Sequence, residues 1–175
     1  MDIPQSLQII AEIGIGLAGF SGLIVAFRKD AGPLTSVQKY RLQILLALAF
    51  GAMFLALLPE LLHYMGVPPD RLWTLAGLVL TCYSVVFVIW WITASYRLKA
   101  SVPEIFDWFA FSRMAAGHII AVLLQLAVIF SLLDDTSPGP YLAALMWYLL
   151  HAVQQFTRML FVQPKKPSAT TSRHT

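Results

Sequence analysis

The sequence predicts an all-α integral membrane protein, a compact bundle of five transmembrane helices. Of its 175 residues, 58% are apolar and only 12% are charged, whereas a soluble domain is about 45–50% apolar and about 25% charged. A soluble chain of this length could not bury so much apolar surface, because small domains leave a large share of their surface in water. Lipid is therefore the predicted solvent.

Five apolar stretches are each long enough to cross about 30 Å of hydrocarbon as a helix. They cover residues 5–27, 40–63, 72–96, 113–133 and 141–162. A helix is predicted for each, because lipid offers no partner for backbone N–H and C=O groups and a helix pairs them internally. Residues 1–162 are thus predicted to form a single transmembrane domain, and the polar, basic tail 163–175 is expected to be disordered.

The sequence also indicates where these helices begin and end. The first is interpreted as an uncleaved span, because no basic segment precedes it and no small-residue cleavage site follows it. Thr35 and Gln38 have the spacing of a capping box that opens the second helix. Pro59 lies in the last turn of that helix and lacks an N–H group, so the carbonyl of Leu55 is predicted to lose its usual donor.

The segment 99–112 differs from the other connections. Ser101 and Glu104 have capping-box spacing, and aromatic residues crowd the chain around Asp107. This composition is typical of a helix that lies at the membrane surface. We therefore predict a short cytoplasmic interfacial helix before the fourth span. The predicted interfacial anchors are Trp90, Trp91, Tyr96 and Trp108.

The basic residues predict the orientation of the bundle. If the N-terminus lies outside, all twelve Lys and Arg residues except Arg71 fall at the cytoplasmic side. We therefore predict a multi-pass protein of a bacterial inner membrane, with its N-terminus outside and its C-terminus in the cytoplasm. The same residues stand at the ends of apolar runs and not in one patch, so nucleic acid is not a predicted partner.

Polar residues inside the predicted spans are the candidate functional residues, because each is costly in lipid. On the first helix, Glu12 shares a face with Gln8 and Gly16 at three-and-four spacing. This face is interpreted either as a helix–helix interface, within one subunit or between copies, or as part of a proton or cation path. Glu60 lies near the outer end of the second helix, where it could belong with His63 to a solvated outer rim or join Glu12 in one polar cluster.

Small residues mark the predicted sites of close helix packing, since they let two backbones approach each other. On the first three helices these positions are Gly14, Gly16, Gly19, Gly22, Ala49, Ala52, Ala56 and Gly77. Association of copies through such faces predicts a homo-oligomer.

Histidines on the fourth and fifth helices form the most informative pair. His118 is five residues from Arg113 and His151 is seven from Arg158, so at about 1.5 Å per residue the two lie within about 3 Å in depth. Each has a glutamine on its own face, and these are Gln125 and Gln155. Three interpretations stay open: neutral histidines in ordinary hydrogen bonds, a water-lined or proton-conducting path, and bis-histidine ligation of haem.

The sequence contains no motif that identifies a reaction, so an enzyme is not favoured. The leading hypothesis is a small oligomeric transport protein with an ion or small-solute path. The residues predicted to line it are Glu12, Glu60, His118, Gln125, His151 and Gln155. The alternative is a non-catalytic assembly or accessory protein that binds another membrane protein through its glycine and alanine faces. No metal or cofactor is predicted, with haem on the two histidines as a lesser option.

Overall fold

The computed structural model describes residues 3–27, 33–101, 103, 107–133 and 137–161. Within these residues the chain forms five α-helices, and the predicted helical bundle is confirmed for them. In chain order they are α1 (Ile3–Phe27), α2 (Ser36–Tyr64), α3 (Pro69–Ser101), α4 (Trp108–Ile129) and α5 (Gly139–Phe161). The tail 163–175 lies outside the described residues.

Helices α1 to α4 are each long and apolar enough to cross a membrane. These four helices indicate a multi-pass membrane protein. The outward surface agrees, because it exposes large apolar side chains such as Phe20, Phe54, Val86 and Ile119, which a soluble monomer rarely groups into wide patches. Helix α5 is not among the four, so the fifth span stays a prediction.

Helices α2 and α5 lie at the centre of the bundle. Among the described residues, α5 contacts all four other helices, and α2 contacts α1, α3 and α5. The fully buried core between them contains Ile44, Leu48 and Leu145. Helix α1 touches α2 and α5 but neither α3 nor α4. Helix α4 likewise touches only α3 and α5, so α1 and α4 do not meet.

The predicted capping box at the start of α2 is confirmed. The Thr35 hydroxyl accepts a hydrogen bond from the backbone N–H of Gln38 at 3.3 Å, and the Gln38 side chain accepts one from the backbone N–H of Thr35 at 3.1 Å. Near the other end of α2, the hydroxyl of Tyr141 donates to the Leu55 carbonyl at 2.6 Å. This is the carbonyl that Pro59 leaves without a backbone donor.

The structure describes the segment 99–112 only in part. Its described residues are the end of α3, which runs to Ser101, then Pro103 in a 3₁₀ conformation, and Asp107 with the start of α4 at Trp108. The rest of the predicted interfacial helix lies outside the described residues. Asp107 sets that start, because its side chain accepts hydrogen bonds from the N–H groups of Phe109 and Ala110 at 3.0 and 3.2 Å. The Ser101 hydroxyl donates back to the Leu98 carbonyl of its own helix, and Glu104 lies outside the described residues.

The predicted anchors divide into exposed and buried residues. Trp90, Tyr96 and Trp108 are exposed, as interfacial anchors should be. Trp91 differs, because it is 3% exposed and stacks on Phe111 with ring centroids 4.8 Å apart. Trp91 lies one turn from the buried Phe87 on the inner face of α3, and that face points into the bundle.

The predicted packing residues also fall into two sets. Those buried at contacts between helices are Gly14, Ala49, Ala52, Ala56 and Gly77. A Cβ added to Gly14 would come within 2.7 Å of the Ala49 carbonyl oxygen. The backbones of α1 and α2 can therefore approach this closely only with glycine at position 14. In the second set no atom lies within 4 Å of an added Cβ, and its members are Gly16, Gly19 and Gly22.

Candidate functional site

His118 on α4 and His151 on α5 hydrogen bond directly inside the bundle. His118 Nε2 lies 3.0 Å from His151 Nδ1, and both residues are 0% exposed. They meet because α4 and α5 run antiparallel: Asp107 at the start of α4 lies 4.0 Å from Arg158 near the end of α5. The sequence predicts similar depths for the two histidines, and in the structure they lie at the same level of the bundle.

Gln155 extends this pair into a chain of three side chains. Its Nε2 lies 3.0 Å from His151 Nε2. An amide nitrogen only donates, so His151 Nε2 accepts, and the proton of a neutral His151 sits on Nδ1 and points at His118 Nε2. The proton of a neutral His118 is then on Nδ1, which has no hydrogen-bond partner among the described residues. The chain has one direction and ends on an unpaired buried N–H.

The hydrogen bond between the rings also limits their charge. An imidazolium ring donates from both nitrogens and accepts from neither. If His118 and His151 were both charged, no acceptor would exist for the bond between them. The pair therefore holds at most one extra proton while the bond persists, and that proton is shared by two nitrogens 3.0 Å apart.

Four aromatic rings enclose the histidine pair. The centroids of Phe87, Tyr148, Trp91 and Trp147 lie 5.2, 5.6, 5.9 and 6.3 Å from that of His118. The Tyr148 hydroxyl pairs with Ser84 of α3 and not with either imidazole. The rings thus surround the pair with apolar surface, which raises the cost of leaving a polar atom unpaired there.

Gly117 makes room for one wall of this enclosure. A Cβ at Gly117 would overlap Cζ2 of Trp147, far inside the 3.0 Å limit that real Cβ atoms respect. The absence of a side chain therefore lets the indole approach the backbone of α4 closely. Sequence reasoning missed Gly117, Trp147, Tyr148 and Phe87, because a ring that crosses from one helix to another leaves no periodic signal on either.

The hydrogen-bonded chain begins at a small cavity at the basic end of the bundle. This end carries Lys39, Arg41, Arg97, Arg113 and Arg158. This cavity has a volume of about 70 Å³, and Gln155 lines it together with Tyr40, Arg41, Asp107 and Arg158. Arg41 donates to the Arg158 carbonyl at 2.8 Å and so joins the start of α2 to the end of α5. A space of this size admits a few water molecules, which places solvent one side chain away from His151.

The other predicted path residues lie elsewhere. Gln125 donates to the Pro140 carbonyl at 2.8 Å, at the end of the bundle opposite the basic end. Glu12 is exposed on α1 and accepts a hydrogen bond from Gln8 at 2.9 Å. Glu60 is exposed near the end of α2 and lines a separate cleft that does not include Glu12. Three of the six residues are thus brought together: His118, His151 and Gln155.

A resident metal or haem gains no support from this geometry. Within the described ranges, no group of three or more His, Cys, Asp and Glu residues could hold a metal ion. Bis-histidine haem ligation requires an iron atom between the two imidazoles, whereas these nitrogens bond each other. The haem option stays a prediction, and a Soret band in the purified protein would be its signature.

Comparison with known proteins adds no further identification. No family model matches this sequence. No curated protein and no solved structure matches it. The geometry of the histidine chain is therefore the main indication of function.

Proposed function

We propose that this chain is a small transport-class protein of a bacterial inner membrane, in which the buried His118–His151 pair takes up and releases protons as an ion or small solute moves. All five helices cross the bilayer, with the N-terminus outside and the basic end in the cytoplasm. The basic residues support this orientation by the positive-inside rule. The observation that carries the proposal is the hydrogen-bonded chain from the basic-end cavity to an unpaired buried imidazole nitrogen.

The proton moves along this chain in balanced steps. When water from the cavity displaces the Gln155 amide, a proton adds to His151 Nε2. His151 then gives its Nδ1 proton to His118 Nε2 across the 3.0 Å hydrogen bond. His118 in turn releases the proton on Nδ1 to water that reaches this nitrogen when the bundle opens toward the end opposite the cavity. Both rings end as neutral tautomers with the opposite nitrogen protonated, and rotation of the rings or a return proton resets them.

The hydrogen-bonded chain of Gln155, His151 and His118 favours a carrier over an open pore. Its connected part reaches the cavity at the basic end, and beyond His118 the nearest polar pair, Tyr148 with Ser84, is not hydrogen bonded to it. A path open to one side is the arrangement that alternating access requires. Intramembrane histidines of this kind mark proton relays in pumps and transporters.

Proton flux into proteoliposomes tests the proposal. His118→Gln and His151→Gln are expected to reduce flux to the level of protein-free vesicles, because glutamine keeps a hydrogen bond but cannot exchange a proton at neutral pH. Gln155→Leu is expected to change the rate without abolishing flux, since it removes the amide that occupies His151 Nε2.

Ser84→Ala is the matched control for these variants. It breaks a buried hydrogen bond on the same face of the bundle but leaves the histidine chain intact, so flux should persist. Flux that survives in both histidine variants would contradict the proposal, as would wild-type protein with no flux above that of empty vesicles.

The outward face of α1 favours a second candidate, a non-catalytic assembly or accessory protein. Gln5, Gln8 and Glu12 are exposed there, although polar groups are costly against lipid. Gly19 on the same face has no atom within 4 Å of an added Cβ, so another helix has room to approach. The face suits either a second copy or a different membrane protein.

Crosslinking from this face distinguishes the two candidates. Cys82 is the only cysteine, so Gly19→Cys in a Cys82→Ser background gives a single reactive thiol on α1. Capture of the chain by itself is expected for the oligomeric transport protein. Capture of one defined membrane protein in its place would favour the accessory role.

A further inference from the structure

A cleft opens at the end of the bundle opposite the basic end, between α1, α2 and α3. Its volume is about 720 Å³, within the range of about 300–1,000 Å³ that small-molecule sites occupy. The cleft exists because α1 and α3 flank α2 without touching each other. Its depth is apolar, with walls from Leu7, Ala56 and Leu72.

The polar side chains of the cleft lie near its mouth. Glu60 is four residues before the end of α2 at Tyr64, about one helical turn from the end of the bundle. Among the described residues that line the cleft, Glu60 is the only Asp, Glu, Lys or Arg, and Gln5, Gln8 and His63 contribute further polar groups to its lining. No Lys or Arg in the described part of the chain forms an ion pair with Glu60.

Aromatic rings complete the wall around the carboxylate. Trp73 and Tyr64 both line the cleft. Trp73 is fixed in place by packing on Tyr141, with ring centroids 5.8 Å apart. The faces of such rings attract cations, and tryptophan does so most strongly. One carboxylate, aromatic faces and an apolar interior are therefore combined in one cleft.

We propose that this cleft binds a lipophilic cation, a molecule with a quaternary or delocalised positive charge on an apolar body. The charge lies against Glu60 and the ring of Trp73, and the apolar body fills the space above Leu7 and Leu72. A strongly hydrated cation would leave that apolar space empty, and an anionic amphiphile would meet the carboxylate. The proposal does not depend on the histidine chain, which opens at the other end of the bundle.

Binding of tetraphenylphosphonium to the full-length protein in nanodiscs of zwitterionic lipid tests this assignment. Tetraphenylborate is the matched probe, since it has nearly the same size and shape with the opposite charge. Partition into protein-free nanodiscs is subtracted from both. Tetraphenylphosphonium is expected to bind saturably, and tetraphenylborate is expected to show no saturable component. Equal binding of the two ions would identify a general apolar groove filled by lipid chains and would overturn the proposal.

Two charge-removing variants locate the site. Glu60→Gln is expected to weaken tetraphenylphosphonium binding by about tenfold or more, because it removes the only acidic group among the described residues of the cleft. Asp70→Asn removes the same charge from the same end of the bundle, at an exposed residue that does not line the cleft, and should change affinity by less than about twofold. Unchanged binding in Glu60→Gln, or an equal loss in both variants, would contradict the assignment.

Discussion

Gly117→Ala is expected to destabilise the protein by about 3 kcal/mol or more, which is at or above the usual cost of an overpacked core. The new Cβ would overlap Cζ2 of Trp147. The indole is rigid, and its centroid lies 6.3 Å from that of His118, so the whole ring or the two helices must shift to admit the methyl group. Thermal unfolding of the purified protein, followed by tryptophan fluorescence, measures the loss.

Two comparisons show whether the overlap with Trp147 is the cause. Gly22→Ala places the same methyl group on α1 where no atom lies within 4 Å, and it should leave stability unchanged or raise it by up to about 1 kcal/mol. Trp147→Leu should recover part of the stability lost in Gly117→Ala. If Gly117→Ala unfolds at the same temperature as Gly22→Ala, the close contact between α4 and α5 is contradicted.

Tyr141→Phe is expected to cost about 1–3 kcal/mol, the penalty for a buried polar group that loses its partner. The Tyr141 hydroxyl donates to the Leu55 carbonyl at 2.6 Å, and Tyr141 is 2% exposed. That carbonyl cannot receive a bond from residue 59, because Pro59 has no N–H. Phenylalanine keeps the ring and removes only the donor, so the change in unfolding free energy reports this hydrogen bond.

A double-mutant cycle with Pro59→Ala isolates the effect. Alanine restores an N–H at position 59, and that N–H can donate to the Leu55 carbonyl as in an ordinary helix. Tyr141→Phe should therefore cost less in the Pro59→Ala background than in the wild type. An equal cost in both backgrounds would mean that Tyr141 stabilises the bundle through its ring packing and not through this carbonyl.

The sequence predicts features that follow from position along one helix. The depths of His118 and His151 depend only on the rise per residue and on the basic residues that mark one end, and the two rings do meet. The absence of a backbone donor for the Leu55 carbonyl follows from the covalent structure of Pro59. The capping box of Thr35 is likewise local. In each case the relevant atoms lie within one helix or at a depth that helical geometry fixes.

Features that depend on the rotation of a helix were beyond sequence reasoning. Helical periodicity correctly groups Glu12 with Gln8 on one face of α1, but it does not say whether that face points inward or outward. In lipid both directions are apolar surroundings, so the usual contrast between core and solvent gives no signal. Trp91 shows the same ambiguity, because a tryptophan near a helix end suits an interface as well as a core.

Partners from distant helices were also unpredictable. Tyr141 reaches Leu55 across 86 residues, and Tyr148 reaches Ser84 across 64. Nothing in the sequence near Leu55 names the residue that donates to its carbonyl. Such pairings are set by the packing of whole helices, in which a rotation of one helix by a fraction of a turn would exchange one partner for another.

Nitrogen-15 NMR of the imidazole rings in the membrane-reconstituted protein tests the histidine pair most directly. A hydrogen bond between two ring nitrogens couples them, so labelled His118 and His151 should give a cross-peak between Nε2 of the first and Nδ1 of the second. The cross-peak should vanish in His118→Gln. Two uncoupled rings in the wild-type protein, each with signals of an isolated imidazole, would contradict the proton-sharing pair from which the proposed transport function is derived.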